Sequence, residues 1–285
     1  MSPLRKLLSK IPLHLVIITI ALVWMTPSVG VLINSFRAPI AIRGTGWWTV
    51  FTTPFDFTQW TLENYERVIT AEGLGNAFRN SLYISIPATL LPIAIASFAA
   101  YALAWMDFRG RQFIFSVIVG LLVVPLQMTF IPVLTMFSRA GISGTFWAIW
   151  AAHTGYGLPF SIYLLRNFFG SLPGDLFDSA YLDGASPLTA FFRLALPLSV
   201  PSLASLAIFQ FLWVWNDLLV ALIYLGGTPR VAPLTVRVAN LVNSLGADWH
   251  LLPAAAFISM ILPLGVFFSL QRFFVRGILA GSIKG

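Results

Sequence analysis

The sequence predicts an all-α membrane protein with six transmembrane helices and a helical excursion onto the membrane surface between the fourth and fifth spans. Three observations carry this. Of the 285 residues, 58% are hydrophobic and only 9% charged, and the mean hydropathy is +0.85, well outside the range of soluble domains. The charged residues leave six uninterrupted gaps, each long enough to cross about 30 Å of hydrocarbon at roughly 1.5 Å per residue. Within the gaps apolarity is continuous and does not alternate, which favours helices over a barrel, the two folds whose backbone hydrogen bonds close within lipid.

In chain order the expected spans are Ile11 to Phe36, Asn80 to Met106, Gln112 to Ser138, Ala140 to Leu165, Leu194 to Asn216 and Trp249 to Gln271. The first follows Arg5, Lys6 and Lys10 as a signal peptide would, but its apolar run is too long for a signal core and no small-x-small cleavage site follows. It therefore reads as a retained anchor. Basic residues set the orientation. With the N-terminus in the cytoplasm, ten Lys and Arg lie inside against seven outside, and all three lysines are inside. The net charge of +7 then reflects membrane topology, and nothing supports a nucleic-acid role. Absence of cysteine excludes disulfides and thiolate metal sites.

Between the fourth and fifth spans runs "RNFFGSLPGDLFDSAYLDGASPLTAFFRLALPL". Pro173 and Gly174 open it, Asp175 is placed to cap a helix and complement its dipole, and "LFDSAYLDGA" supplies two turns before Gly184 permits a change of direction. Pro187 suits the start of a second helix, which Pro197 interrupts. This is a helix, a turn and a helix, either an interfacial element that tidies the crossing between two spans or one suited to docking in another protein's groove.

The spacing in that loop resembles the signature of permease subunits in ATP-binding-cassette importers, Glu-Ala-Ala, three residues, Gly, nine residues, then Ile-x-Leu-Pro. Asp178, Ser179 and Ala180 precede Gly184 by that interval, and Leu194, Ala195, Leu196 and Pro197 follow it. Asp replaces Glu, Ser the first Ala and Leu the Ile; "DGAS" around the glycine is common in the carbohydrate branch. At the C-terminal end, "QRFFVRGILAGSIKG" is similar to the tail of the smaller permease of maltose-type importers. The phrases "GLPFSIYLLRNFFGSLPGDLFDSAYLDGAS" and "FLWVWNDLLVALIYL" look closest to permeases for α-glucosides and glucosylglycerol-like solutes.

The resemblance implies a single transmembrane domain over 1–285, with a coupling-helix loop at 172–200. Asp175, Asp178, Ser179, Ala180, Asp183, Gly184 and Ala185 would meet an ATPase, and Gly281, Ser282 and Lys284 in the tail would reach the interface between two ATPase copies. ATP and Mg would bind those partners, since no Gly-x-x-x-x-Gly-Lys-Ser/Thr loop occurs here. Further implied partners are a second, different permease and a periplasmic or lipid-anchored sugar-binding protein, touched through Gly226, Gly227, Thr228 and Pro229. The setting would be the inner (plasma) membrane, crossed several times, with both termini cytoplasmic. The outer loop from Arg37 to Arg79 holds Trp47, Trp48 and Trp60, which read as interface-belt aromatics.

Polar residues within spans mark candidates for the translocation path or for interhelical bonds: Asn80, Ser81, Gln127, Asn216 and Asp217. His153 has no metal-ligand companion in sequence and reads as packing. The alternative function is an ion-coupled secondary transporter using Asp217. No clustered His, Glu and Asp set or nucleophile-base pair argues for an enzyme.

Overall fold

The computed structural model describes residues 10–243 and 248–282, and the side chains of 10–242 and 248–271. Among these the chain is helical, with no strand beyond one isolated antiparallel bridge between Arg37 and Trp60. It divides into two compact units. One takes in the chain up to Leu74 together with Val238–Ile258; the other comprises Gly75–Arg237 and the chain from Ser259 on.

The first unit contains helices α1 (Ile11–Ser35), α2 (Pro39–Gly44) and α3 (Glu63–Thr70). Helix α1 exposes nearly all of its apolar surface until its last turns. There Gly30 lets the Trp47 indole approach so closely that a Cβ would lie 2.7 Å from it. Arg37 is buried: its guanidinium donates to the Thr45 and Thr49 hydroxyls at 2.5 and 3.2 Å and to the Thr45 carbonyl and Asn34 Oδ1 at 3.3 Å. Asn64 donates to the carbonyls of Ser35 and Arg37, so α3 closes over the end of α1.

The second unit opens with most of α4 (Leu74–Trp105), followed by α5 (Arg111–Leu121), α6 (Phe130–Arg139) and α7 (Phe146–Phe169). After a surface segment come α10 (Val200–Trp215), α11 (Leu219–Leu225), the start of α12 (Leu234–Asn243) and, from Ser259, α13 (Leu252–Ser282). The segment between α7 and α10 holds α8 (Gly174–Leu182) and α9 (Pro187–Ala190). Two apolar cores organise this unit. One gathers Ile84, Phe130, Ile149, Val220 and Tyr224; the other gathers Tyr101, Leu165, Phe169, Phe177 and Phe191.

Among the described residues three helices are long and apolar enough to cross a membrane, and up to five spans result when each of two bent pairs is counted as one. The six expected spans are thus not all present as continuous apolar helices. The expected 112–138 span is two helices meeting at 96°, because Pro125 lacks an N–H and steers Val124 out of helical conformation. The 194–216 span is bent by 74° at Ser199. Pro197 and Pro201, four residues apart, each remove a ladder donor there, and the chain widens into a π turn at Phe191–Ala195 just before the bend. The expected 140–165 span is the unbroken helix α7, of 24 residues; His153, Thr154 and its glycines dilute its apolarity.

Prolines also lie inside α4, α7 and α13. Each leaves the carbonyl four residues earlier without its helical donor. Pro87 frees the Tyr83 carbonyl, and the Trp150 indole donates to it at 2.8 Å. Pro92 frees that of Ala88, which takes the Gln210 amide at 3.2 Å. Pro263 frees that of Ser259, which takes the Trp215 indole at 2.9 Å. Gly157 is what lets Gln210 reach its place, since a Cβ there would sit 2.6 Å from the Gln210 side-chain nitrogen.

A buried carbonyl left without a donor costs about 1–3 kcal/mol. Gln210→Leu is therefore expected to lower the unfolding temperature in detergent, and adding Pro92→Ala, which restores the missing N–H to Ala88, to recover most of the loss. A double-mutant cycle of thermal unfolding measures this; additive effects would show that Gln210 acts otherwise.

Candidate functional site

The surface segment is built as a rigid unit. Helix α8 begins after Pro173, whose extended backbone is the N-cap. Asp175 stands inside the first turn, where it complements the helix dipole; it does not cap with its side chain as the sequence led us to expect, and α8 has no side-chain cap. The helix ends in a complete Schellman motif: Gly184 N–H reaches the Tyr181 carbonyl at 3.0 Å and Ala185 N–H the Ala180 carbonyl at 2.9 Å. Gly184 holds the left-handed conformation this requires, with φ of 82°. Ser186 then caps α9, its hydroxyl accepting the Thr189 N–H at 3.2 Å, and Pro187 occupies the first helical position.

Phe177 and Tyr181, one turn apart in "LFDSAYL", anchor α8 to the ends of α4 and α7. Phe177 is wholly buried and stacks on Trp105 at 3.9 Å. Trp105 donates to the Phe169 carbonyl at 3.1 Å, and the hydroxyls of Tyr181 and Tyr101 meet at 3.1 Å. Phe191 packs on Phe98 and Tyr101, fixing the second helix to the same aromatic floor. The sequence reading missed these anchors; the four-residue spacing of Phe177 and Tyr181 was the available signal. On the opposite side Asp175, Asp178, Ser179, Asp183 and Gly184 are exposed, and Ala180 and Ala185 half-buried. Leu182 projects with 90% of its surface free. A cleft of about 530 Å³ runs between the two helices, lined by Ala180, Asp183, Ala185, Thr189 and Arg193.

The polar residues of the spans fall into two groups. Asn80 donates to the carbonyls of Arg230 and Ala232, and the Ser81 hydroxyl accepts the Leu234 N–H; both are buried and hold the loop before α12. Asp217 joins α10 to α11, its carboxylate accepting the N–H groups of Val220 and Ala221 at 3.2 and 2.9 Å. His153, expected to stand without a companion, has Nε2 3.7 Å from that carboxylate and its ring edge-on to Trp213. Gln127 and Asn216 are exposed, the latter donating to the Leu212 carbonyl. Gly226 and Gly227 both take positive φ, 72° and 70°, and with Thr228 and Pro229 form a turn after α11. Gly281 and Ser282 fall in the last turn of α13; Lys284 lies outside the described residues.

The helical bundle interrupted by this helix pair has the fold of an ATP-binding-cassette importer permease. It superposes with a TM-score of 0.73 at 19% identity on a subunit of a bacterial ABC transporter that imports the acidic polysaccharide alginate, covering 95% of this chain and 98% of the other. Residues 92–279 match the family described as the inner membrane component of binding-protein-dependent transport systems, and the chain belongs to that family. It is 60% identical to the osmoprotective compounds uptake permease protein GgtD of Synechocystis sp. over 96% of this chain and 92% of the relative. It is 52% identical to the alpha-glucoside transport system permease protein AglG of Rhizobium meliloti over 85% of this chain and 64% of that protein. The protein is thus the permease subunit of an ABC importer, which displaces the ion-coupled alternative.

Truncation of a fully buried aromatic costs about 3–5 kcal/mol, so Phe177→Ala is expected to release α8 without unfolding the spans. Limited proteolysis in detergent should then cut faster between residues 170 and 190, while Phe177→Leu cuts at close to the parental rate.

Proposed function

We propose that this chain forms half of the translocation path for a neutral glycoside, of the glucosylglycerol or α-glucoside class, in an importer driven by ATP. The observation that carries the reading is the coincidence of the Schellman turn at Gly184 with the family's signature glycine. A helix pair locked by backbone bonds and standing on an aromatic floor transmits force without bending. Helix α8 is the coupling helix, seated in a cleft of an ATPase subunit, with Asp178, Asp183 and Leu182 on the contacting face. Closure of two ATPase copies around ATP and Mg pushes α8, and the stacked Phe177–Trp105 pair delivers that push to α4. The 60% identity to an osmoprotectant permease and 52% identity to an alpha-glucoside permease support the substrate class.

In this reading the chain crosses the inner membrane six times, counting the two bent pairs and α7 as one crossing each, with both termini and α8 in the cytoplasm. A second, different permease completes the path. A sugar-loaded binding protein docks from outside, where Gly226 to Pro229 meet it. The tail at Gly281, Ser282 and Lys284 reaches the ATPases.

Co-purification of the chain with its ATPase and second permease, followed by ATPase assay with binding protein and glucosylglycerol, tests this. Hydrolysis is expected to rise only when protein and glycoside are both present; no rise with any α-glucoside would overturn the substrate class. In the same assay Gly184→Val is expected to lose most of the stimulation while still inserting, since a β-branched residue is penalised by at least about 1–2 kcal/mol in the left-handed region. Gly184→Asn, which tolerates that region, should keep more of it.

A further inference from the structure

Within α4, α7 and α13, four carbonyls lose their helical donor to an interior proline: Tyr83, Ala88, Gly155 and Ser259. Indole or amide N–H groups from neighbouring helices replace three of these donors. Among the described residues no side chain does so for Gly155, whose donor Pro159 removes. Gly155 and Pro159 instead line a half-enclosed cleft of about 300 Å³, with Leu126, Thr129 and Tyr156. A Cβ on Gly155 would meet nothing within 4 Å, so the space beside it is open.

Two hydroxyls on the cleft wall, those of Thr129 and Tyr156, are chained to a third, that of the buried Tyr224. Thr129 donates to the Leu126 carbonyl at 2.6 Å. Its single proton is thereby engaged, so Tyr156, at 2.8 Å, donates to Thr129, and Tyr224, at 2.7 Å, donates to Tyr156. Each of the Thr129 and Tyr156 oxygens keeps one lone pair beyond this chain. Thr129 and Tyr156 thus present acceptors to the cleft beside Gly155, and what complements acceptors in a neutral ligand is a set of hydroxyl donors.

With Arg111 at the membrane boundary, as in the six-crossing reading above, the cleft lies at mid-depth. Helix α5 runs 11 residues from Arg111 to its break, about 16 Å of a roughly 30 Å hydrocarbon layer, and Tyr156 is close to the middle of the 24-residue α7. The broken segment beside it leaves Val123 with 81% of its surface free. Irregular backbone at that depth is stable where it lines a wet cavity or is covered by protein, and a broken helix at the midplane is where transporters place substrate groups.

The geometry points to this cleft as the share of the glycoside site contributed by this subunit, with Thr129 and Tyr156 accepting sugar hydroxyls in transit. The inference rests on the glycoside reading above. Its volume is at the bottom of the roughly 300–1,000 Å³ range of small-molecule sites, as suits half a site closed by the second permease.

The test uses the complete importer in proteoliposomes with binding protein and glucosylglycerol, read as glycoside moved per ATP hydrolysed. Tyr156→Phe keeps the ring and removes the hydroxyl, and is expected to lower this ratio roughly 2- to 10-fold, the span of one neutral hydrogen bond. Gly155→Leu fills the cleft and should lower it more than about 10-fold. Parental ratios in both variants would overturn the inference. So would a fall in Gly155→Leu accompanied by loss of the second permease on purification, which would make the cleft a subunit interface. Failure of the glycoside reading itself is separate: the unmodified importer would then move no glucosylglycerol.

Discussion

In a medium without water every backbone carbonyl needs a donor, and this permease breaks its own ladders repeatedly with proline. The architecture of the second unit follows from how those breaks are repaired. Trp150 of α7 serves α4 at Tyr83, Gln210 of α10 serves α4 at Ala88, and Trp215 of α10 serves α13 at Ser259. Each repair is also a cross-link between helices in a medium where burial of apolar surface gives little drive for association. Gly157, by letting Gln210 approach, ties α7 into the same set. The prolines thus generate the polar attachments that fix which helices are neighbours.

The surface helix pair uses a different device. It lies at the end of the bundle, where ordinary apolar burial is available, and it is held by aromatic packing of Phe177, Tyr181 and Phe191 on Trp105, Tyr101 and Phe98. Its angle is set by backbone bonds around Gly184. The outward residues Asp175, Asp178 and Leu182 are exposed and take no part in this aromatic packing.

How much of this was legible in the sequence follows from the range of the interactions. The apolar spans, the helix-turn-helix between Pro173 and Pro197, and the special backbone at Gly184 depend on neighbours a few residues away and could be read directly. The breaks at 122–125 and at Ser199 were carried by Pro125, Pro197 and Pro201, yet they fell within charge-free stretches, and charge counting is blind to a missing N–H. Repairs at Tyr83, Ala88 and Ser259 join residues separated by 67, 122 and 44 positions, and nothing local marks those pairs. The same holds for His153 and Asp217, and for the hydroxyl chain from Thr129 to Tyr224.

Asp217 illustrates why an acidic residue in a span need not carry a mobile ion. Both of its carboxylate oxygens accept backbone N–H groups at the start of α11, His153 lies beside one of them, and its own carbonyl accepts the Thr235 hydroxyl at 2.6 Å. Removing the carboxyl group would leave two amides at the start of α11 without their side-chain acceptors in an apolar setting. The residue therefore stabilises the junction of α10 and α11. By fixing Thr235 it also fixes the segment 230–234, on which Asn80 and Ser81 close from α4. A polar cluster of this kind holds the loop that follows the turn at Gly226 and Gly227, and its role is structural.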